Sequence, residues 1–152
     1  MKIAICYYSR HHGNTLKVLK AMTRGQKADL LDVTCRQTVH LDEYDCIGFA
    51  SGIYGFTVQK AVAEFTRQYL PENKDVFFVY TYGAAKGKGA GDLYDIAGQK
   101  GCRVLGEFSC RGYDTFGPFR LMGGIAKGHP DKNDLEGAHD FYLKILQKLS
   151  GN

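Results

Sequence analysis

The residues best placed to do chemistry lie in the stretch Ser9–Thr15, which reads Ser-Arg-His-His-Gly-Asn-Thr. This stretch follows an apolar run at 3–6 and precedes a helical pattern that begins at Leu16. A loop between a strand and a helix points free backbone N–H groups and the positive end of the helix dipole at one position, which suits a phosphate group. The alternative is an ordinary strand–helix turn in which Asn14 or Thr15 caps the helix.

The glycine content of this loop limits the kind of phosphate. A Walker-type loop needs a longer glycine loop that ends in Lys-Ser or Lys-Thr, and a dinucleotide fingerprint needs three glycines, whereas only Gly13 is present. We therefore predict a terminal phosphate monoester, held by backbone N–H groups, hydroxyl groups and the cationic Arg10. The predicted phosphate-binding residues are Ser9, Arg10, His11, His12, Gly13, Asn14 and Thr15.

The adjacent pair His11 and His12 has two interpretations. A metal site needs further ligands at suitable spacing, and the sequence offers none beside this pair. We therefore favour loop histidines near a phosphate. Histidines in their charged form would then strengthen anion binding mildly in acid.

Two further loops combine aromatic residues with glycine. Exposed aromatic side chains between glycines are costly unless something flat covers them, and glycine lets a ligand approach the backbone closely. Together with the phosphate loop they indicate a planar ring flanked by tyrosines. The alternative is that Tyr54, Phe56 and Tyr82 pack on the domain itself. The two loops read Ser51-Gly52-Ile53-Tyr54-Gly55-Phe56-Thr57 and Tyr80-Thr81-Tyr82-Gly83-Ala84-Ala85.

The pattern of apolar runs predicts the elements that must position these loops. Five continuous runs, typical of strands covered by helices on both faces, lie at Lys2–Tyr8, Ala28–Val33, Cys46–Ser51, Val76–Tyr82 and Cys102–Cys110. Helical patterns lie at Asn14–Arg24, Val58–Leu70, Ala90–Lys100 and Asn133–Leu149. Alternating strands and helices predict an α/β fold, a three-layer doubly wound five-stranded parallel sheet whose ligand lies beyond the carboxyl ends of the strands.

Three connections receive their own predictions. We expect one turn or irregular chain at Thr34–Tyr44, which is short for a helix. The segment Arg111–Lys132 lacks a helical period, and loops of this length are usually functional or mobile. The last helix is expected to begin with a capping box formed by Asn133 and Glu136.

Composition narrows the class of protein. The 152 residues predict one domain, 1–152, and the apolar runs are too short to cross a membrane. The chain begins without a secretory signal, and its five cysteines lack metal-site spacing, so we expect a cytoplasmic protein with reduced thiols. The net charge is +4, but the basic residues do not form a run, which argues against nucleic-acid binding. Basic residues are more frequent between Lys86 and Lys127, and we favour a solvated surface there over a binding site for an anionic partner.

The chain resembles the flavodoxin family over essentially its whole length. The resemblance rests on Gly13-Asn14-Thr15, on the Tyr54 loop and on Tyr82-Gly83. It implies the strand order 2-1-3-4-5 and FMN as cofactor. Carried over to this chain, it places Ser9–Thr15 on the phosphate and Ser51–Phe56 and Thr81–Gly83 on the sides of the isoalloxazine ring. The chain departs from the family in carrying Arg10-His11-His12 where hydroxyl residues are usual, in being basic, and in its long segment 111–132.

The resemblance implies an FMN-binding protein that shuttles electrons between redox partner proteins. An alternative is an FMN-dependent NAD(P)H or quinone oxidoreductase, in which the segment 111–132 forms a lid or an anion site. Cations near the ring (Arg10, Lys86, Lys88 and Arg111) would favour the negatively charged reduced flavin, so we expect a fully reduced couple less negative than in acidic flavodoxins. A receiver domain is excluded, because Ser9-Arg10-His11 and Ser51-Gly52-Ile53 occupy the positions of its acidic residues.

Cys110 stands beside Arg111 at the end of a predicted strand. A neighbouring cation can lower the pKa of a thiol and make it reactive, whereas an apolar setting raises it. We favour simple packing.

Overall fold

The computed structural model describes residues 1–35 and 38–151. Its strands are β1 (Ile3–Tyr7), β2 (Asp29–Asp32), β3 (Cys46–Tyr54), β4 (Thr57–Val58), β5 (Asp75–Tyr82) and β6 (Arg103–Arg111). Its α-helices are α1 (Asn14–Met22), α2 (Lys60–Tyr69), α3 (Gly91–Gln99) and α4 (Lys132–Ser150). The predicted α/β fold class is confirmed. Element ends shift by a few residues, because helix and strand ends depend on local hydrogen bonds that the apolar pattern does not encode.

The sheet is parallel along the order β2-β1-β3-β5-β6. This is the predicted order 2-1-3-4-5 once the two-residue β4 is set aside. The sequence prediction missed β4, which pairs antiparallel with the end of β3, and had assigned Val58 to the following helix. The turn between them places Gly55 at φ 57° and Phe56 at φ 71°, the left-handed geometry of a tight hairpin.

Helices cover both faces of the sheet, so the chain has three layers. One core lies under α2 and α3 and includes Ala4, Phe49, Val62, Phe78 and Leu93; the other lies under α1 and α4 and includes Ile5, Leu19, Phe77, Tyr142 and Ile145. Neighbouring strand residues such as Ala4 and Ile5 therefore point into different cores. Burial on both faces explains why the strands are continuously apolar.

The helix α4 begins differently from the prediction. Asp131 accepts a hydrogen bond from the Asp134 N–H at 2.9 Å, and the Asp134 carboxylate accepts one from the Asp131 N–H at 2.8 Å. The capping box is thus Asp131 with Asp134, and the expectation of Asn133 with Glu136 was wrong. A carboxylate at the third helical position serves as well as the glutamate of the usual motif.

The two irregular connections also take definite shapes. In the predicted 34–44 connection, a 3-10 turn spans Leu41–Glu43, while positions 36 and 37 lie outside the described residues. The segment after β6 contains a 3-10 turn at Gly117–Met122 and a bridge that pairs Asp114 with Ile125. No helix in the described ranges is long and apolar enough to cross a membrane.

Candidate functional site

The loop after β1 makes a left-handed turn into α1. His12 has φ 55° and Gly13 has φ 66°, a conformation that glycine adopts without cost. The N-cap residue Gly13 has no side chain to cap the helix, and within the described part of the chain Ser9 supplies the side-chain acceptor, its Oγ lying 3.0 Å from the Leu16 N. Apart from the Leu16 N–H, no backbone N–H in the first turn of α1 has a side-chain acceptor among the described residues.

A pair of buried hydroxyls joins the first loop to the end of β5. The Oγ1 of Thr15 lies 3.1 Å from the Oγ1 of Thr81, and the two residues are only 2% and 4% exposed. Each hydroxyl satisfies the other in a setting where an unpaired polar group would be costly. The contact fixes the distance between the two loops.

The loop between β3 and β4 holds an aromatic side chain against the first loop. The Tyr54 ring packs edge-on against Tyr8, with ring centres 5.9 Å apart. Burial raises the pKa of the Tyr54 hydroxyl, the Tyr8 hydroxyl and Asp114 act in the same direction, and a hydrogen bond from the backbone of His11 opposes them. The hydroxyl therefore stays protonated at neutral pH and can donate a hydrogen bond.

The loop after β5 is tied to the hairpin turn. The Lys88 N–H donates to the Phe56 carbonyl oxygen at 2.7 Å. Gly87, at φ 55°, fits only because it lacks a side chain, since a Cβ there would lie 2.2 Å from that same oxygen. The Nζ of Lys86 lies 5.4 Å from the centre of the Tyr82 ring, a cation–π contact.

These loops enclose a cavity of about 240 Å³ at the carboxyl ends of β1, β3 and β5. Twelve of the sixteen predicted site residues line it, and they come from all three loops. They are Ser9, His11, Asn14, Thr15, Gly52, Ile53, Tyr54, Gly55, Phe56, Thr81, Tyr82 and Gly83. The structure thus places the phosphate-type loop and the aromatic loops around one space.

The other four predicted residues do not line the cavity. The Arg10 guanidinium turns outward to the Thr34 hydroxyl and lies 3.8 Å from Asp32. Ser51 is buried, and its hydroxyl donates to the Gly52 carbonyl oxygen and accepts from the Gln59 N–H. Gly13 contributes the turn itself, and His12 packs on the segment that follows β6. Side-chain direction depends on tertiary partners that a loop sequence does not reveal.

The segment after β6 supplies a further wall that the sequence prediction did not include. Phe116 and Phe119 line the cavity from its 3-10 turn region, and Asp114 lines it near the first loop. The remaining missed residues are Ala84, Ala85 and Gly112. The signal available in the sequence was two phenylalanines in a long glycine-rich segment. Their position was not predictable because the segment lacks the regular pattern of a helix or strand.

The two histidines bind this segment to the first loop. The His12 Nε2 lies 2.8 Å from the Thr115 Oγ1, and the His12 ring packs on Tyr113 with ring centres 4.6 Å apart. The His11 Nε2 lies 3.3 Å from the Thr115 N and 3.2 Å from Asp114 Oδ1. A bare Nε2 can accept from the Thr115 N–H, whereas an Nε2 that carries a hydrogen donates to Asp114, so these two contacts require different placements of the ring hydrogen.

Two other reactive features among the described residues do not line this cavity. Burial raises the pKa of the Cys110 thiol to about 12, which agrees with the packing interpretation and opposes a reactive thiolate. Among the described residues, the cluster whose geometry could suit a metal ion is His129, Asp131 and Asp134, which already forms the start of α4. All five cysteines are free thiols.

The residues fit a ligand with a phosphate at one end and a planar ring at the other. Asn14 and Thr15 at the N-terminus of α1 line the same cavity as Tyr54, Phe56 and Tyr82. The cavity is slightly smaller than the roughly 300–1,000 Å³ typical of small-molecule sites. Phe56 and Phe116 are largely exposed at its mouth and extend the contact surface beyond the enclosed volume.

The fold and cavity define a doubly wound α/β protein with a cavity at the switch point between β1 and β3, where such folds bind ligands. Residues 4–101 match the model of the flavodoxin domain family. The chain is also 37% identical over 149 residues to an uncharacterized protein of Methanocaldococcus jannaschii, covering 97% of this chain and 99% of that protein. The chain therefore belongs to the flavodoxin family.

Solved structures share the fold at low sequence identity. A flavodoxin from the domain Archaea superimposes with TM-score 0.72 at 17% identity, covering 99% of both chains. A Fusobacterium nucleatum flavodoxin bound to flavin mononucleotide gives TM-score 0.68 at 15% identity, covering 97% of this chain and 99% of that one. The rubredoxin oxygen:oxidoreductase of Desulfovibrio gigas gives 0.73 at 15% identity, but this chain spans only 36% of it.

Proposed function

We propose that this protein binds FMN and carries electrons between redox proteins. The observation that carries the proposal is the cavity itself, which is lined by residues at the N-terminus of α1, where the N-cap residue Gly13 has no side chain, and by three aromatic side chains from other loops. The flavodoxin family membership and the fold shared with a flavodoxin bound to flavin mononucleotide support it. The five free thiols are consistent with a reducing, cytoplasmic setting, which belongs to the same proposal.

The chain's own residues would hold the two ends of the cofactor. The N–H groups of the His12–Gly13 turn and the hydroxyl of Ser9 would bind the phosphate. Tyr54 and Tyr82 would contact the ring from different loops and exclude water from it. When bound, the flavin supplies the redox chemistry, while the protein sets its position and its electrostatic surroundings.

The proposal is tested by titrating the purified protein with FMN and with riboflavin, which lacks the phosphate. We expect FMN binding with a visible flavin absorption spectrum, and at least about tenfold weaker binding of riboflavin, since charge-assisted phosphate hydrogen bonds contribute about 1.5–3 kcal/mol. A colourless protein that takes up no FMN would contradict the proposal.

A matched pair of variants locates the phosphate. Gly13→Ala and Gly25→Ala both place a side chain at a left-handed position with open space around it, φ 66° and 73°. We expect Gly13→Ala to weaken FMN binding and leave riboflavin binding unchanged, because only the phosphate contacts that turn. Gly25 lies beyond α1, so its variant should change neither affinity. Equal losses for FMN and riboflavin in Gly13→Ala would contradict the phosphate site.

A second candidate function is an FMN-dependent NAD(P)H or quinone oxidoreductase. The observation in its favour is the apolar wall formed by Phe116 and Phe119, which could receive a second planar molecule. Steady consumption of NAD(P)H by the FMN-loaded protein without an added reductase would support it, and Phe119→Ala should then raise KM more than it lowers kcat. The absence of turnover across quinone acceptors would leave the carrier function.

A further inference from the structure

Four large apolar side chains that line the cavity or follow Phe119 in its 3-10 turn are exposed, and we call this surface the mouth of the cavity: Phe56, Phe116, Leu121 and Met122. Phe56 is 72% exposed and Phe116 is 66% exposed, although both line the cavity. Leu121 and Met122, in the 3-10 turn that also carries Phe119, are 93% and 75% exposed. Clusters of exposed large apolar side chains on a protein surface mark sites of contact with another molecule.

Hydrogen bonds fix the backbone beneath these side chains. Phe56 has φ 71°, an unfavourable conformation for a bulky residue, and its carbonyl oxygen is held by the Lys88 N–H at 2.7 Å. The Gly124 N–H donates to the Phe119 carbonyl oxygen at 2.7 Å and closes the 3-10 turn. An exposed aromatic side chain held in a strained conformation is typical of functional sites.

Several cations lie close in the chain to these apolar residues. The stretches 52–58, 83–91 and 115–130, each of which contributes residues to the cavity lining, contain no Asp or Glu, whereas the adjoining Asp114 lines the cavity. They carry four basic residues: Lys86, Lys88, Arg120 and Lys127. Lys86 lies over the ring of the cavity residue Tyr82, and the exposed Arg120 lies between Phe119 and Leu121 in the chain.

The carboxylates near the mouth are already engaged. Asp114 Oδ1 lies 3.2 Å from the His11 Nε2 and accepts the Phe116 N–H at 2.8 Å. The carboxylate of Asp92 accepts the Thr57 hydroxyl at 2.8 Å. Both carboxylates are thus held by partners within the protein, while Lys86, Lys88 and Arg120 are exposed.

We propose that this mouth is the docking surface for an acidic redox protein, whose own redox centre is surrounded by carboxylates and a small apolar contact area. The cations would guide the partner to the mouth, and the exposed phenylalanine, leucine and methionine side chains would exclude water at the contact. The inference rests on the proposed electron-transfer function and names the partner class for it. Opposite surface potentials raise association rates by about 10–10³-fold, and salt removes this gain.

The test uses one haem protein with two surface charges. Native cytochrome c is basic, whereas fully succinylated cytochrome c is acidic. Binding of each to the immobilised protein is measured at low and high ionic strength, together with the rate at which the reduced holoprotein reduces each. We expect about tenfold preference for the succinylated form at low ionic strength and most of it lost at high ionic strength. Equal binding of the two forms, or preference for the native form, would overturn the proposal.

Two double variants with the same net charge separate local from overall electrostatics. Lys86→Glu/Arg120→Glu and Lys20→Glu/Lys144→Glu each replace two cations by anions and so lower the formal net charge from +4 to 0. The first pair lies at the mouth, whereas the second lies on α1 and α4. We expect the first to abolish the preference and the second to keep it within about twofold, because distant exposed charges are screened. Equal effects would overturn the proposal.

Failure of docking can be told apart from failure of FMN binding. The binding measurement is made with and without added FMN, so the preference for the acidic probe has a readout that needs no flavin. A protein that takes up no FMN yet prefers the acidic probe would contradict the proposed function alone. A holoprotein that prefers the native probe would contradict the docking surface alone.

The apolar contact is tested by the double variant Leu121→Ser/Met122→Ser. It should weaken binding at both ionic strengths, since apolar contacts are insensitive to screening. Unchanged binding would contradict the apolar contact.

Discussion

The side-chain amide of Asn14 donates a hydrogen bond to the carbonyl oxygen of Tyr113 at 2.8 Å, across 99 positions of the chain. The approach is close: a Cβ at Gly112 would lie 2.6 Å from the same amide nitrogen. The first residue of α1 therefore holds the segment that carries Phe116 and Phe119. A change at the proposed phosphate loop reaches the opposite wall of the cavity through this contact.

Removing this contact should loosen the segment. We expect Asn14→Ala to raise amide hydrogen exchange in residues 113–125 by about fivefold to tenfold, since one hydrogen bond contributes about 1 kcal/mol. Asn133→Ala, at an exposed position of α4, is the matched control and should leave these residues unchanged. Equal exchange in the two variants, measured by mass spectrometry, would show that the segment does not depend on Asn14.

The buried hydroxyl pair should behave as a coupled unit. Thr15→Val leaves the Thr81 hydroxyl without its partner, so we expect it to lower the free energy of unfolding by about 1–3 kcal/mol. The double variant Thr15→Val/Thr81→Val should lose less than the sum of the two single variants, because it buries no orphaned hydroxyl. Urea unfolding of the parent protein, Thr15→Val, Thr81→Val and the double variant gives the coupling free energy between the two hydroxyls. Losses that add strictly in the double variant would argue against the contact.

Alkaline pH should destabilise the fold through its buried thiols. Burial raises the pKa of Cys6, Cys46 and Cys110 to about 12, from 9.0 for an ordinary thiol. Above pH 9 the unfolded chain releases thiol protons that the native chain retains. The free energy of unfolding should therefore fall as pH rises from about 9 towards 12, by about 1.4 kcal/mol per pH unit for each thiol.

Urea unfolding at a series of pH values checks this slope. Cys46→Ala should reduce it, whatever the variant costs in stability at neutral pH, because one of the shifted thiols is gone. Cys35 is exposed, so Cys35→Ala is the control and should keep the slope of the parent protein. An unchanged slope in Cys46→Ala would mean that burial of this thiol does not contribute to the alkaline loss.

The charges around the cavity should control the potential of bound FMN. We expect a fully reduced couple less negative than in acidic flavodoxins, because the rim is cationic. Asp114→Asn should shift it further in the same direction by about 40 mV, since ~59 mV corresponds to ~1.4 kcal/mol for one electron. Asp42→Asn, before β3, is the control and should shift it little. A redox titration in which the fully reduced couple is as negative as in acidic flavodoxins would contradict this electrostatic account. Equal shifts of the potential in Asp114→Asn and Asp42→Asn would contradict it as well.

The sequence predicted the sheet and the three loops because both are encoded locally. Strands buried on both faces need continuous apolar runs, and the loops at their carboxyl ends follow from the strand–helix alternation. Glycine and aromatic residues at Gly13, Tyr54 and Tyr82 marked the loops that surround the cavity. These features depend on residue type and short spacing alone.

The features that the sequence did not predict depend on contacts between distant residues. Arg10 turns to Asp32 on the neighbouring strand, and Phe116 reaches the cavity because Tyr113 and Thr115 are held by the first loop. Neither side-chain direction follows from secondary-structure propensity or from the periodicity of the apolar residues. The two-residue strand β4 was missed because its length is below what an apolar pattern can show.

The cavity walls differ in where they come from along the chain. The walls that would hold the cofactor lie within residues 4–101, the part that matches the flavodoxin domain, whereas Phe116 and Phe119 lie beyond it. In the proposed electron carrier, exchange of the 113–125 segment between related proteins would therefore alter one part of the docking surface and leave the Tyr54 and Tyr82 loops in place. Asn14 would have to keep its bond to the new segment, so the two parts of the site are modular but not independent.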